Sequence, residues 1–215
     1  MIASGPAANR PPHILLEVFS VMSELVGGAV KSLKSIVLYM ALALGANAAM
    51  AQSADITDLR DGDMKKLVVH SEAKPVPGEA FKAEGGGDLT LADFQGKITL
   101  VNFWATWCAP CRHEMPMLSD LQAQLGGDDF EVVTIASGRN APAAMKKFFD
   151  EIEVDNLPLH ADPKMGLSRQ MGVLGLPVTV ILDREGREIA RLQGDADWSS
   201  DSAKAILQTL IDVGA

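Results

Sequence analysis

Cysteine is scarce: only two occur among 215 residues, beside a single tyrosine and three tryptophans. Two cysteines cannot build the multi-disulfide framework of a small secreted scaffold. With no second Cys-x-x-Cys and no His-x-x-x-His spacing, the ligands for a structural zinc are also short in number. No lysine-arginine run is present and the net charge is -9, so a nucleic-acid or anionic-lipid surface would have to form against the overall field. What the chain does have is 47% hydrophobic residues, enough for the core of one domain with an appendage.

The first fifty residues differ from the rest. Residues 1–21 carry Pro6, Pro11 and Pro12 and no sustained period, and are read as an upstream start, with Met22 as the functional one. A tripartite export pattern follows: Lys31 and Lys34, an apolar stretch over 36–44, then Ala49-Met50-Ala51 as a small-x-small cleavage site. That stretch is short against the roughly 20 apolar residues of a membrane span. Residues 1–51 are therefore expected to be a leader, cleaved in preference to being kept as an anchor, and the protein to act in the periplasm or cell envelope. Residues 52–77, polar and closed by Pro75 and Pro77, read as a linker, and 78–215 as the domain proper.

Within that domain, residues 89–91 suggest a short strand, 91–94 one helical turn, and 98–104 a strand covered on both faces. Leu118, Leu121 and Leu125 recur at helical spacing within 109–125, where Pro116 should introduce a kink and Gly126 a stop. A strand over 130–137, a helix over 141–150 entered through Pro142 and an extended piece over 157–160 come next. Residues 178–182 and 188–193 form a hairpin across Asp183-Arg184-Glu185-Gly186. A closing amphipathic helix carries Ala203, Ile206, Leu207, Leu210 and Ile211, with Ser199 or Asp197 as its cap. This order predicts the α/β class, a mixed sheet with helices on both faces.

The two cysteines lie three apart, in Trp107-Cys108-Ala109-Pro110-Cys111, where strand passes into helix. Unpaired N-H groups and the helix dipole favour Cys108 as thiolate, the attacking form. Cys111, on the same face, can then resolve a mixed disulfide. A stapling disulfide is the competing reading, but closing so short a loop contributes only about 2 kcal/mol in the chain-entropy model. A metal site is a third, short of ligands as noted. His113 reads as a solvated helix histidine, and His70 and His160 as surface or capped core residues.

The segment Val101-Asn102-Phe103-Trp104-Ala105-Thr106-Trp107-Cys108-Ala109-Pro110-Cys111-Arg112-His113-Glu114-Met115-Pro116 resembles the active-site segment of the TlpA/ResA-like thiol-disulfide oxidoreductases of the thioredoxin superfamily. Residues 85–96, Gly175-Leu176-Pro177-Val178-Thr179 and the hairpin turn resemble further landmarks of that family, from about Phe81 to the C-terminus. The resemblance implies a thioredoxin-like sheet with a short N-terminal β extension. It also implies a cis bond before Pro177, which without it would read as a trans proline opening a strand, and a Leu176 backbone free to pair with an extended client.

Glu114 matches an acidic residue kept beside the family's cysteines; it is either a partly buried proton carrier with a raised pKa or an exposed glutamate near a helix N-terminus. Asn102 stands where thioredoxin has a buried acid. Trp107, with Ala109 and Pro110, is expected at the client-binding rim, while Trp104, Met115 and Met117 read as packing or groove residues.

The resemblance further implies a reductase of client proteins with cysteine pairs, in cytochrome c maturation or copper-site assembly, recharged by a membrane thiol donor. No cofactor beyond the Cys108-Cys111 pair, no metal and no nucleic acid is expected, and the chain is expected to be a monomer, tethered through its leader if the leader is kept. An oxidase or isomerase, and a Cu(I) carrier, remain alternatives. A peroxidase of the PxxxTxxC pattern is disfavoured, because Val101 and Ala105 stand in the proline and threonine places.

Overall fold

The run at 98–104 alternates between two apolar environments, and this decides where everything else lies. A computed structural model describes residues 56–213; the leader and its cleavage site fall outside them. The strands are β1 (Val68–Lys74), β2 (Phe81–Lys82), β3 (Asp88–Leu89), β4 (Ile98–Trp104), β5 (Phe130–Ser137), β6 (His160–Asp162), β7 (Val178–Leu182) and β8 (Glu188–Gln193). They form one sheet in the order β1-β8-β7-β4-β5-β6-β2-β3. β4 is buried along its whole length, parallel to β5 and antiparallel to β7, and β5 is parallel to β6. The sheet is therefore mixed, as the alternation of strands and helices predicts.

The helices are α1 (Ala109–Leu125), α2 (Pro142–Glu151), α3 (Gly166–Gln170) and α4 (Asp201–Val213). Successive side chains of β4 point to opposite faces. Ile98, Leu100 and Trp104 join Met115, Leu118 and Leu121 of α1, Phe148 and Phe149 of α2, and Ile206, Leu207 and Leu210 of α4 in one core. Val101 and Phe103 join Phe81, Leu91, Leu167 and Met171 in a second core on the other side. The same parity places Asn102, a polar residue in the middle of a buried strand, beneath α1.

Several sequence expectations need correction. The stretch 52–77 is no linker over its described part, and the fold does not begin at residue 78. Residues 56–58 are helical, Gly62–Lys66 form a 3-10 helix, and β1 extends the sheet by pairing with β8. Ile56, Met64 and Leu67 are buried in the larger core. Although Met64 and Leu67 fall at helical spacing from Ile56, Asp61, Gly62 and Asp63 interrupt the run, which is why they read as isolated apolar residues in polar sequence. The extended piece at 157–160 lies later, as β6, because pairing with Ile135, Ala136 and Ser137 of β5 selects His160–Asp162. α3 was not anticipated; at five residues it is too short to show a period. The last helix is capped by Ser200, whose Oγ accepts from the Ala203 N-H at 3.3 Å, while Asp197 holds the Ser199 N-H and hydroxyl in the preceding turn. Pro116 lies within α1, which continues through it.

Candidate active site

α1 starts where β4 ends, after the turn Ala105-Thr106-Trp107. Asn140 fixes that turn: its Oδ1 accepts from the Thr106 N-H at 2.8 Å and from the Thr106 hydroxyl at 2.9 Å, and its Nδ2 donates to the Ser137 carbonyl at 3.0 Å. Arg112 adds a second strap, its guanidinium 4.1 Å from the centre of the Phe148 ring of α2. Neither Asn140 nor Arg112 announces this in sequence, since Asn140 is 34 residues from its partner.

Cys108 is the N-cap of α1, and its Sγ accepts from the Cys111 N-H at 3.3 Å. The two sulfurs are joined in a disulfide. Their environments differ in the way that matters for exchange: Cys108 retains 6% exposure, whereas Cys111 has none. An incoming sulfur can therefore reach Cys108 first, and the N-terminal dipole of α1 favours the thiolate at that position. Ala109 and Pro110 are exposed beside it, and Trp107 is 68% exposed at the rim. Trp104, by contrast, is fully buried against Phe148 and Phe149. The Leu176-Pro177 peptide bond is cis; Pro177 is buried and Leu176 half-buried.

Glu114 lies one turn beyond Cys111 on the same face of α1 and is fully buried. Of the two sequence readings of this residue, exposure at a helix N-terminus is thereby excluded. Asn102 Nδ2 donates to Glu114 Oε1 at 2.6 Å and to Thr179 Oγ1 at 3.0 Å, so β4, β7 and α1 meet at one polar point under the cysteines. Glu114 Oε2 completes no hydrogen bond of good geometry, although the Ala196 N-H and the Trp198 indole are near enough to favour its charged form. Burial dominates and, with a smaller push from the Asp195 charge, raises the carboxyl from 4.5 to about 7. At neutral pH this group can both hold and release a proton. In sequence Thr179 stands only as part of the Gly175-Thr179 motif, and Trp198 carries no signal at all.

His113 is exposed on α1. His70 meets Glu188 at 2.8 Å across β1 and β8, and His160 Nδ1 accepts from the Glu84 N-H at 3.1 Å. Met115 is core and Met117 packs against it. No helix among the described residues is long and apolar enough to cross a membrane.

A mixed sheet with a Cys-x-x-Cys disulfide capping the helix after its central strand, and a cis-proline ahead of the neighbouring antiparallel strand, defines a thioredoxin-like thiol-disulfide oxidoreductase. Residues 70–207 match the Redoxin family model, more than half of the chain, and the protein belongs to that family. It is 36% identical over 124 residues to the thioredoxin-like protein YneN of Bacillus subtilis, an alignment covering 57% of this chain and 71% of YneN. It is 39% identical over 134 residues to the thiol:disulfide interchange protein HelX of Rhodobacter capsulatus, covering 61% and 71%. With the thiol-disulfide oxidoreductase ResA of Bacillus thuringiensis, 29% identity extends over 110 residues, covering 51% of this chain and 62% of ResA. Among solved structures, a DsbE-type thiol:disulfide interchange protein from Chlorobium tepidum superposes with a TM-score of 0.56 at 25% identity, covering 67% of this chain and 98% of that one. The pneumococcal exposed lipoprotein thioredoxin Etrx1 does so at 0.50 and 30%, covering 62% and 98%. These relatives bear out the TlpA/ResA-like resemblance.

Proposed function

We propose that this protein reduces disulfides of client proteins in the bacterial envelope, in the manner of cytochrome c maturation or copper-site assembly. The carrying observation is the pairing of a reachable Cys108 sulfur at a helix N-terminus with a buried, titratable carboxyl one turn beyond Cys111.

In the dithiol form, the Cys108 thiolate attacks one sulfur of a client disulfide, forming a mixed disulfide and releasing a client thiolate that takes a proton from water, replacing the one Cys108 gave up to it. Glu114, as carboxylate, accepts the Cys111 proton. The Cys111 thiolate then attacks Cys108 Sγ, which closes the Cys108-Cys111 bond and expels the second client thiolate, to which the proton returns. Two electrons and two protons pass to the client, and a membrane dithiol donor restores the pair by the reverse exchange. No cofactor beyond the two cysteines enters the cycle. Trp107, Ala109 and Pro110 border the client, and the Leu176 backbone offers an edge to an extended client segment. Envelope location is supported by the leader pattern and by similarity to an exposed lipoprotein thioredoxin.

Equilibrating the pair with defined thiol buffers tests the direction of electron flow. A potential near or below about -230 mV fits a reductase, and one near -120 mV makes the protein an oxidant and overturns the reading.

A further inference from the structure

The loop 194–200 joins β8 to α4 and lies directly against the redox site. At one end the Gly194 N-H donates to the Pro177 carbonyl at 2.9 Å. In the middle, Ala196 and Trp198 are buried in the same core as Cys108, Cys111 and Met115, with their N-H and indole beside the Glu114 carboxyl. This loop therefore supplies one wall of the chamber that keeps water from Glu114.

What holds the wall comes from the other end of the chain. Lys66 Nζ donates to the Asp195 carbonyl at 2.7 Å, and Asp63 Oδ2 accepts from the Asp197 N-H at 3.1 Å. Lys66 and Asp63 also pair with each other at 2.9 Å, so the two ties support one another. A third tie runs through Ser202, which receives the Asp61 N-H at 2.9 Å and donates to the Leu59 carbonyl at 2.7 Å. Met64 and Leu67, both fully buried, pin the segment from beneath. The segment that makes these ties, 59–67, lies before residue 70, outside the stretch matched by the family model.

We propose that residues 59–67 are a positioning element for the redox site: through Lys66 and Asp63 they fix the 194–200 loop, and through it the dry seat of Glu114. The inference rests on the reading of Glu114 as the proton carrier. The groups facing that carboxyl are Asn102 from β4, itself held by Thr179 of β7, and Ala196, Trp198 and the Asp195 charge from the loop. Burial is the largest influence on the carboxyl, so admitting water past a loosened loop lowers its pKa from about 7 toward 4.5. Lys66 is not among the groups that act on this carboxyl, so loss of its charge by itself leaves the midpoint where it is. A fall in the midpoint therefore reports the loop.

The test is carbon-13 NMR of glutamate-labelled full-length protein between pH 4 and 9. Glu114→Gln identifies the Glu114 resonance by its disappearance. In the Asp63→Ala, Lys66→Ala double variant, the Glu114 midpoint is expected to fall by about one pH unit, a tenfold change in proton affinity. Lys66→Arg, which can still reach the Asp195 carbonyl, is expected to keep it. Both side chains are about half exposed, and the single variants Asp63→Asn and Lys66→Met each retain one tie, so a folded protein is available for the measurement. A midpoint that stays put, or rises, in the folded variants overturns the positioning role while leaving Glu114 as carrier. Absence in the parent protein of any glutamate near pH 7 that disappears with Glu114→Gln overturns both readings together.

Discussion

Replacing Glu114 by glutamine keeps the shape and the acceptor for Asn102 but removes the titration. In the folded protein this carboxyl holds its proton up to about pH 7, whereas in the unfolded chain it gives it up near 4.5. A folded pKa raised above the unfolded one means that stability is fully present below pH 4.5 and declines as pH rises through about 7. At 1.36 kcal/mol per pKa unit, the decline attributable to this one group is about 3 kcal/mol. The glutamine variant is free of it. Thermal melts of the oxidised proteins at pH 5 and pH 8, an interval that holds about 2.5 kcal/mol of that decline, should show the variant gaining on the parent by roughly 5 to 10 °C, taking about 2 to 4 °C per kcal/mol for a domain of this size. Comparing the two proteins at each pH cancels the histidines and surface carboxylates common to both. A melting difference that does not change between pH 5 and pH 8 would refute the argument, because it would show Glu114 already ionised in the folded protein across the whole interval.

Two further predictions concern the frame around the site. Asn140→Ala removes both bonds to Thr106 and frees the turn that leads into Cys108; it should cost about 1 to 2 kcal/mol, read as a lower urea midpoint with an unchanged slope. A loss under about 0.5 kcal/mol would mean that Arg112 and the strand ends hold the turn unaided. Arg191→Met strips the two bonds, at 2.7 and 2.8 Å, from the buried Glu188 carboxylate and leaves it only His70. Burial pushes the Glu188 pKa up, but Arg191 and His70 more than offset it and hold it below 4.5. The variant should lose about 2 to 3 kcal/mol at neutral pH, less than the 3 to 5 of a fully interior pair because it sits near the sheet edge. The deficit should shrink as pH falls below 4.5, since the parent loses its ion pair there; a constant deficit would assign the loss to packing.

Much of the site was legible from local sequence. A Cys-x-x-Cys at a strand-to-helix junction needs only two short-range rules, alternation in 98–104 and helical spacing after 109, to place both sulfurs. The hairpin at 178–193 and the closing helix were legible for the same reason, their periods being long enough to show. Glu114 was ambiguous because helical spacing gives its face but not its burial. That depended on Asn102 lying beneath α1 and on the 194–200 loop closing from the side, contacts that join residues far apart in the chain.

The N-terminal segment is the plainest case of what sequence could not supply. Ile56, Met64 and Leu67 sit in polar surroundings broken at Gly62, and only their packing into the larger core makes them interior residues. Sequence by itself determined the reacting sulfurs, because their chemistry depends on neighbours three residues apart. Tertiary structure alone decided the protonation of the carboxyl behind them, because desolvation is a property of everything that packs around a group, wherever in the chain it comes from.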